Sequence, residues 1–181
     1  MELFDILDKD GKPTGLTAAK GTQLQGGHFY LGIHVYIYNS SMEFLLQQRS
    51  YDKAFLPGGW EVVLEHAIAG ETSKECAVRG IKEEVGLCIH ESDVLFTGRM
   101  IWEECNHIMD VYFVKADFNV DKLTLERGKV IGAKFVSKEQ ILEHVSEICY
   151  RPEEYRQFIT HEIMKLNRKT ILYSGNKILY E

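Results

Sequence analysis

Two adjacent glutamates, Glu83 and Glu84, lie near the end of the stretch ETSKECAVRGIKEEVGL, from Glu71 to Leu87. Its register is helical. Thr72 and Glu75 form a capping box at the start, and Gly86 suits the left-handed residue that ends a helix. Ala77, Val78, Ile81 and Val85 recur at helical spacing as one apolar stripe. At about 100° per residue, position 80 falls with Glu83 and Glu84 on the face opposite that stripe. Adjacent carboxylates on one ridge repel unless water or a cation screens them. A hard divalent ion such as Mg²⁺ or Mn²⁺, which prefers oxygen ligands, is the natural occupant. Taken alone, such a pair is ordinarily solvated helix surface, so its neighbours decide the matter.

Glu71, seven residues, then Arg79-x-Ile81-x-Glu83-Glu84-x-Gly86-Leu87 resembles the signature of the Nudix (MutT-type) hydrolases, G-x5-E-x7-R-E-U-x-E-E-x-G-U with U aliphatic. Gln47-Gln48-Arg49-Ser50, Lys53, Pro57-Gly58 and Trp60 resemble the strand and loop before that signature in the branch related to isopentenyl-diphosphate isomerase. Phe4-Asp5-Ile6-Leu7-Asp8, Gly15 and His34-Val35 are similar to that branch too, and the resemblance covers residues 2 to 145. It implies an α/β fold, a three-layer α/β/α sandwich around a mixed β-sheet. Residues 1–181 would form a single domain, with an N-terminal hairpin over 2–16, a signature loop–helix–loop over 65–87 and C-terminal helices over 137–167. It further implies a pyrophosphohydrolase acting on phosphoric anhydrides. The substrate would be a small molecule, a nucleoside diphosphate linked to another group or a similar diphosphate, attacked by water at phosphorus. The cofactor would be Mg²⁺ or Mn²⁺, which neutralises bridging phosphates and lowers the pKa of the attacking water. Glu83 and Glu84 would be metal ligands, one of them also helping to deprotonate water. Glu71 and Arg79 would pair and brace the loop against the helix; an ordinary helix-end ion pair is the plainer account of the same two residues.

Two positions depart from the signature. Glu65 stands where its first glycine falls, and Gly80 where the glutamate after the arginine falls. In the family that glycine often offers its carbonyl to the metal the glutamate binds, so the two changes look like an exchange across one site. Glu65 is therefore expected to project from a loop toward the space vacated at Gly80 and to supply a metal-binding carboxylate. Glycine in mid-helix costs about 1 kcal/mol relative to alanine, which points to close approach by another group. The rival consequence is a degenerate domain that binds nucleotide as a sensor without turnover. A third reading, the isomerase itself, relies on a cysteine shortly after the equivalent tryptophan. Here Glu61 to His66 contains none and the next is Cys76, so that chemistry lacks its acid.

Other side chains have two readings each. Arg49 and Lys53 can hold phosphate oxygens or be solvated. His66, beside the altered position, can contact a phosphate or make a hydrogen bond within its loop. Glu103, Glu104 and Glu126 fall in later loops, where this family draws a further ligand or general base; each is otherwise a surface carboxylate. His34, among alternating apolar residues, reads as a satisfied strand histidine. Phe29, Tyr30 and Trp102 can stack on a base or pack as core.

The elements that must position these groups are strands mixed with helices. Leu3–Leu7, a turn at Asp8–Gly11 and a second strand make the hairpin. Strands are expected at 31–38, 44–48, 94–100, 108–116 and 133–136. Ser137 and Gln140 cap a helix, and another runs from Pro152 to Leu166. The 181 residues carry a formal charge of −6, which argues against long nucleic acid or anionic membrane as partner. It does not exclude a small anion, since a bound metal supplies local positive charge. No apolar run approaches the ~20 residues of a membrane span, and the acidic N-terminus is no secretory signal, so a cytoplasmic location is expected. Cys76, Cys88, Cys105 and Cys149 lack metal-site spacing and read as reduced thiols. A homodimer is the assembly to look for, as the commonest symmetric form. The apolar runs within Lys165–Glu181 offer either an added strand or cover for a partner.

Overall fold

Turn chemistry closes the first hairpin as expected: Asp8 accepts from the backbone N–H groups of Asp10 and Lys12, both at 2.9 Å. β1 (Leu3–Leu7) thereby pairs antiparallel with β2 (Pro13–Ala19). The computed structural model describes residues 2–148 and 151–166, with the backbone of two short strands at 173–174 and 177–178. Cys149 and the remaining residues beyond 166 lie outside the described residues. Two compact units emerge, Met1–Ser137 and Lys138–Glu181.

The first unit is built on a seven-stranded sheet. In chain order come β3 (Tyr30–Tyr38), β4 (Phe44–Arg49), β5 (Trp60–Glu61), β6 (Val63–His66), helix α1 (Ser73–Val85), β7 (Val94–Trp102), β8 (His107–Lys115) and β9 (Val130–Val136). β3 runs parallel to β8 from Tyr30↔His107 to Tyr38↔Lys115, while the other pairings are antiparallel, so the sheet is mixed. The second unit holds α2 (Lys138–Glu147), α3 (Glu153–Lys165) and a short antiparallel pair, β10 (Tyr173–Ser174) with β11 (Lys177–Ile178). Among the described residues no helix is long and apolar enough to cross a membrane.

Most elements fall where the sequence predicts, but β5 and β6 do not. Glu61, Glu65 and His66 interrupt the apolar alternation of that stretch, so it reads as a loop. In the fold, Glu61 pairs with Gln47 on β4, and Val63–His66 lies antiparallel to Val35–Gly32 on β3. Glu65 thus belongs to a strand rather than to a loop.

α1 begins and ends as its sequence dictates. Thr72 and Glu75 make the reciprocal capping box, and Gly86 takes φ 75° as its C-cap. Ala77, Ile81 and Val85 are fully buried against Ile33, Val35, Ile37, Val63 and Val114. The face assignment from the sequence needs correcting, however. Gly80 and Glu84 are buried with the stripe rather than opposite to it, and only Glu83 remains outside. Glu84 follows Ala77 by seven residues, about 20° short of two full turns, so it flanks the stripe, and Gly80 lies on the same ridge. A Cβ there would stand 3.1 Å from the Cβ of Glu65 and 3.7 Å from Val63 Cγ1, so β6 comes in against bare helix backbone. That close approach seats Gly80 and Glu84 against β6. Because Ile81 is wholly buried at this contact, Ile81→Ala should cost about 2–5 kcal/mol. The check is a lowered urea midpoint with an unchanged m-value.

Candidate active site

Arg79 ties the loop before α1 to the helix. Its Nε and Nη2 donate to the two oxygens of Glu71, both at 2.8 Å, and Nη2 also donates to the His66 carbonyl at 2.9 Å. Nη1 donates to Glu83 at 3.0 Å, one turn along the helix. Glu71 in turn accepts from the N–H of Ile68 at 3.0 Å. The hydrogen bonds to Glu71 push the Arg79 guanidinium still higher than its ordinary value, against the opposing effect of burial. Glu71 and Arg79 therefore form a two-pronged brace. Glu83 leans on Arg79 with 43% of its side chain exposed.

Glu84 lies at the opposite extreme, only 6% exposed. Its Oε2 accepts from Gln47 Nε2 at 2.5 Å and from the N–H of Leu64 at 3.3 Å. Burial raises its pKa to about 8; those hydrogen bonds pull it down, and the carboxylates of Glu65 and Glu61 push it further up. Glu61 is itself buried and paired with Arg49.

Glu65 reaches the same place from β6. Oε1 accepts from the His66 N–H at 2.9 Å, while Oε2 lies 3.5 Å from Lys129 Nζ and 3.9 Å from Arg79 Nη1. Burial works against its ionisation, but the His66 N–H, Lys129 and Arg79 outweigh this and hold the carboxyl below its usual range. Of the three later-loop glutamates, Glu126 is the one brought here. Its N–H donates to the Glu84 carbonyl at 3.0 Å, and its Oε1 pairs with Lys129 at 2.9 Å. Glu103 and Glu104 sit instead in the turn after β7, where Glu104 lines a separate cavity.

That cavity, about 390 Å³, lies between the hairpin end and the β7–β8 turn. Phe4, Tyr30, Lys20, Gln23, His66 and His107 are among its walls. His66 faces His107 with 2.9 Å between their Nε2 atoms. Arg49 donates to the Phe55 carbonyl at 2.9 Å besides pairing with Glu61. Lys53 has its pKa lowered by burial and then by Lys129, Arg49 and Lys20, which places these cations in one field. Phe29, His34 and Trp102 are packed inside, the last two with ring centroids 5.7 Å apart.

Sequence reasoning missed Gln47, Glu61 and above all Lys129. Only the i,i+3 pairing of Glu126 with Lys129 was a possible signal, and it lies in a loop where spacing carries little weight.

The oxygen donors suit a hard divalent cation. The buried Gln47 Oε1 and Glu126 Oε2 accept no hydrogen bond, and the ammonium of Lys129 stands as a cation between Glu65 and Glu126. Among the described residues, though, no three Asp, Glu, His or Cys side chains converge as a ready cage. Glu65 and Glu84 are the residues that would hold such an ion, with Glu83 at its edge.

Comparison with known proteins gives the family. Residues 28–157 match the profile of the NUDIX domain. A Nudix hydrolase of Listeria monocytogenes, itself uncharacterised, is 34% identical over 142 residues, 78% of this chain and 83% of its own. An isopentenyl-diphosphate Delta-isomerase of Pectobacterium atrosepticum is 35% identical over 83 residues, 45% of this chain and 46% of its own. A crystal structure from Deinococcus radiodurans superposes with TM-score 0.69 at 15% identity, covering 88% of this chain and 98% of that one. The chain belongs to the Nudix family and has its α/β fold on a mixed sheet.

A carboxyl whose pKa is raised on folding stabilises the protein fully below its unfolded value, near 4.5, and loses that contribution as pH rises toward 8. Metal-free protein in EDTA should therefore lose stability between pH 5 and 8 in urea titrations. Glu84→Gln should flatten that slope; an unchanged slope would mean Glu84 is ionised throughout.

Proposed function

We propose that this chain is a divalent-metal-dependent pyrophosphohydrolase acting on a nucleoside-diphosphate-linked or similar diphosphate substrate. The observation that carries the reading is the gathering of Glu65, Glu84 and Glu126 at one end of α1, beside the cations Arg49, Lys53 and Lys129. Nudix family membership supports hydrolysis of phosphoric anhydrides in general. When bound, Mg²⁺ or Mn²⁺ supplies charge neutralisation of the bridging phosphates and a more acidic water.

The chain's own residues supply the rest. Glu84 and Glu65 hold the ion from helix and strand, Glu65 replacing the carboxylate that Gly80 lacks. Lys53 and Arg49 take the phosphate oxygens. Glu126, with one buried oxygen free of donors, accepts the proton as water attacks phosphorus.

The test is phosphate-containing product from a panel of nucleotide sugars, dinucleotides and nucleoside triphosphates with Mg²⁺ or Mn²⁺. Glu84→Gln should lower kcat/KM roughly 100-fold, and Glu65→Ala should weaken Mn²⁺ affinity in calorimetry. Unchanged affinity would remove Glu65 from the site. Lys53→Ala should raise KM about tenfold with a smaller change in kcat, as expected for loss of a charge-assisted contact present in ground and transition states.

One observation favours a second reading, a nucleotide sensor without turnover: a lysine ammonium already sits among the carboxylates. Thermal stabilisation by the same panel with no product would select it.

A further inference from the structure

We infer that Lys129 is the built-in counter-cation of the carboxylate cluster, and that a divalent ion must displace it. Metal loading is then coupled to arrival of a diphosphate. The inference rests on the metal-dependent reading above and adds an order to it.

Lys129 follows Gly128, whose φ of 79° turns the chain just before β9. Its N–H donates to the Glu126 carbonyl at 3.1 Å, closing a tight turn that aims both side chains the same way. Nζ then lies 2.9 Å from Glu126 Oε1 and 3.5 Å from Glu65 Oε2, with Glu84 close enough to favour its charge. The ammonium occupies a gap bordered by oxygens from a helix, a strand and a loop. A metal ion would seek the same oxygens, and two cations cannot share them without strong repulsion.

The same lysine also belongs to a second group. Ser50, beside Arg49, donates its N–H to the Lys129 carbonyl at 2.8 Å and accepts from the Lys53 N–H at 3.2 Å, and after burial the charges of Lys129, Arg49 and Lys20 lower the Lys53 pKa. A diphosphate held by Lys53 and Arg49 offers Lys129 new oxygens and draws the ammonium out of the carboxylates. The gap is thereby opened for a divalent ion as its substrate arrives. The site is guarded against free metal and loads when there is a phosphate to neutralise. Lys129 is in this sense a positioning residue for the metal.

The experiment is titration of the dialysed protein with Mn²⁺ alone, read by electron paramagnetic resonance, for the wild type, Lys129→Met and Lys129→Arg. Methionine should bind Mn²⁺ roughly tenfold more tightly than the wild type, because the competing charge is gone. Arginine, which keeps the charge, should stay within about twofold. Methylenediphosphonate should tighten Mn²⁺ binding by the wild type more than by Lys129→Met. Lys129→Gln repeats the test should the methionine protein not fold. Equal or weaker Mn²⁺ binding by the neutral variants overturns the role of Lys129 while leaving the metal site standing. No Mn²⁺ uptake by any of the proteins overturns the metal-dependent reading together with this inference.

Discussion

Glu84 is a carboxylate carried into the packed side of a helix, and a buried carboxylate must find compensation or a proton. The surrounding structure answers that demand. Gln47 turns its amide N–H groups inward from β4, and Leu64 donates its N–H from β6. Neither removes the cost, because Glu61 and Glu65 add their own charge nearby. Besides the buried carboxyl of Glu84, five carboxylates, Glu61, Glu65, Glu71, Glu83 and Glu126, meet three paired cations, Arg49, Arg79 and Lys129. Such an excess of negative charge in a half-buried place stabilises nothing by itself. It is the arrangement expected where an added cation completes the balance.

The brace and the cluster divide the work of the signature helix between them. Arg79 is spent on Glu71, Glu83 and the His66 carbonyl, which fixes the loop and leaves little of its charge for a ligand. Rigidity at that end matters because a site for a small hard ion needs its oxygens held within fractions of an ångström. Gly80 matters for the same reason. Without a side chain there, β6 lies against the helix backbone, and Glu65 is carried to within reach of the cluster that Glu84 already occupies.

Local signals were legible in the sequence wherever one segment determines its own shape. The capping box at Thr72, the left-handed Gly86, the first hairpin and the long strands β3 and β8 all follow from short-range pattern. Glu71, Arg79 and Glu84 were legible through spacing as well. Glu65 could be placed opposite Gly80 because both substitutions fall in one motif, although its strand was not foreseen. What stayed hidden is what depends on pairing between distant segments. β5 and β6 exist because β4 and β3 accept them as neighbours, against the polar residues they contain. The burial of Glu84 was within reach of helical angle, since it lies about 20° from Ala77 around the axis, but the pairing of Glu83 and Glu84 as one ridge hid it. Lys129 sits 64 residues from Glu65 in the chain, and only the turn at Gly128 brings it back.

The exchange of Glu65 for Gly80 bears on which reaction such a site can serve. Isomerisation of a carbon skeleton needs a proton donor at carbon, and the strands after Trp60 bear carboxylates where a thiol would be required. Cys76, the next thiol, is buried under Arg79 and its pKa is pushed far up by burial, so it neither reaches a ligand nor ionises. Hydrolysis makes different demands: a held cation, an oriented diphosphate and an acceptor for one proton of water. In the proposed reading, a carboxylate on the adjacent strand in place of one on the helix keeps the charge available to a cation while changing the backbone that presents it. In the proposed reading these demands fall to residues on α1, β6, β4 with its following loop, and the loop before β9, and the bare backbone at Gly80 is what lets β6 bring Glu65 among them.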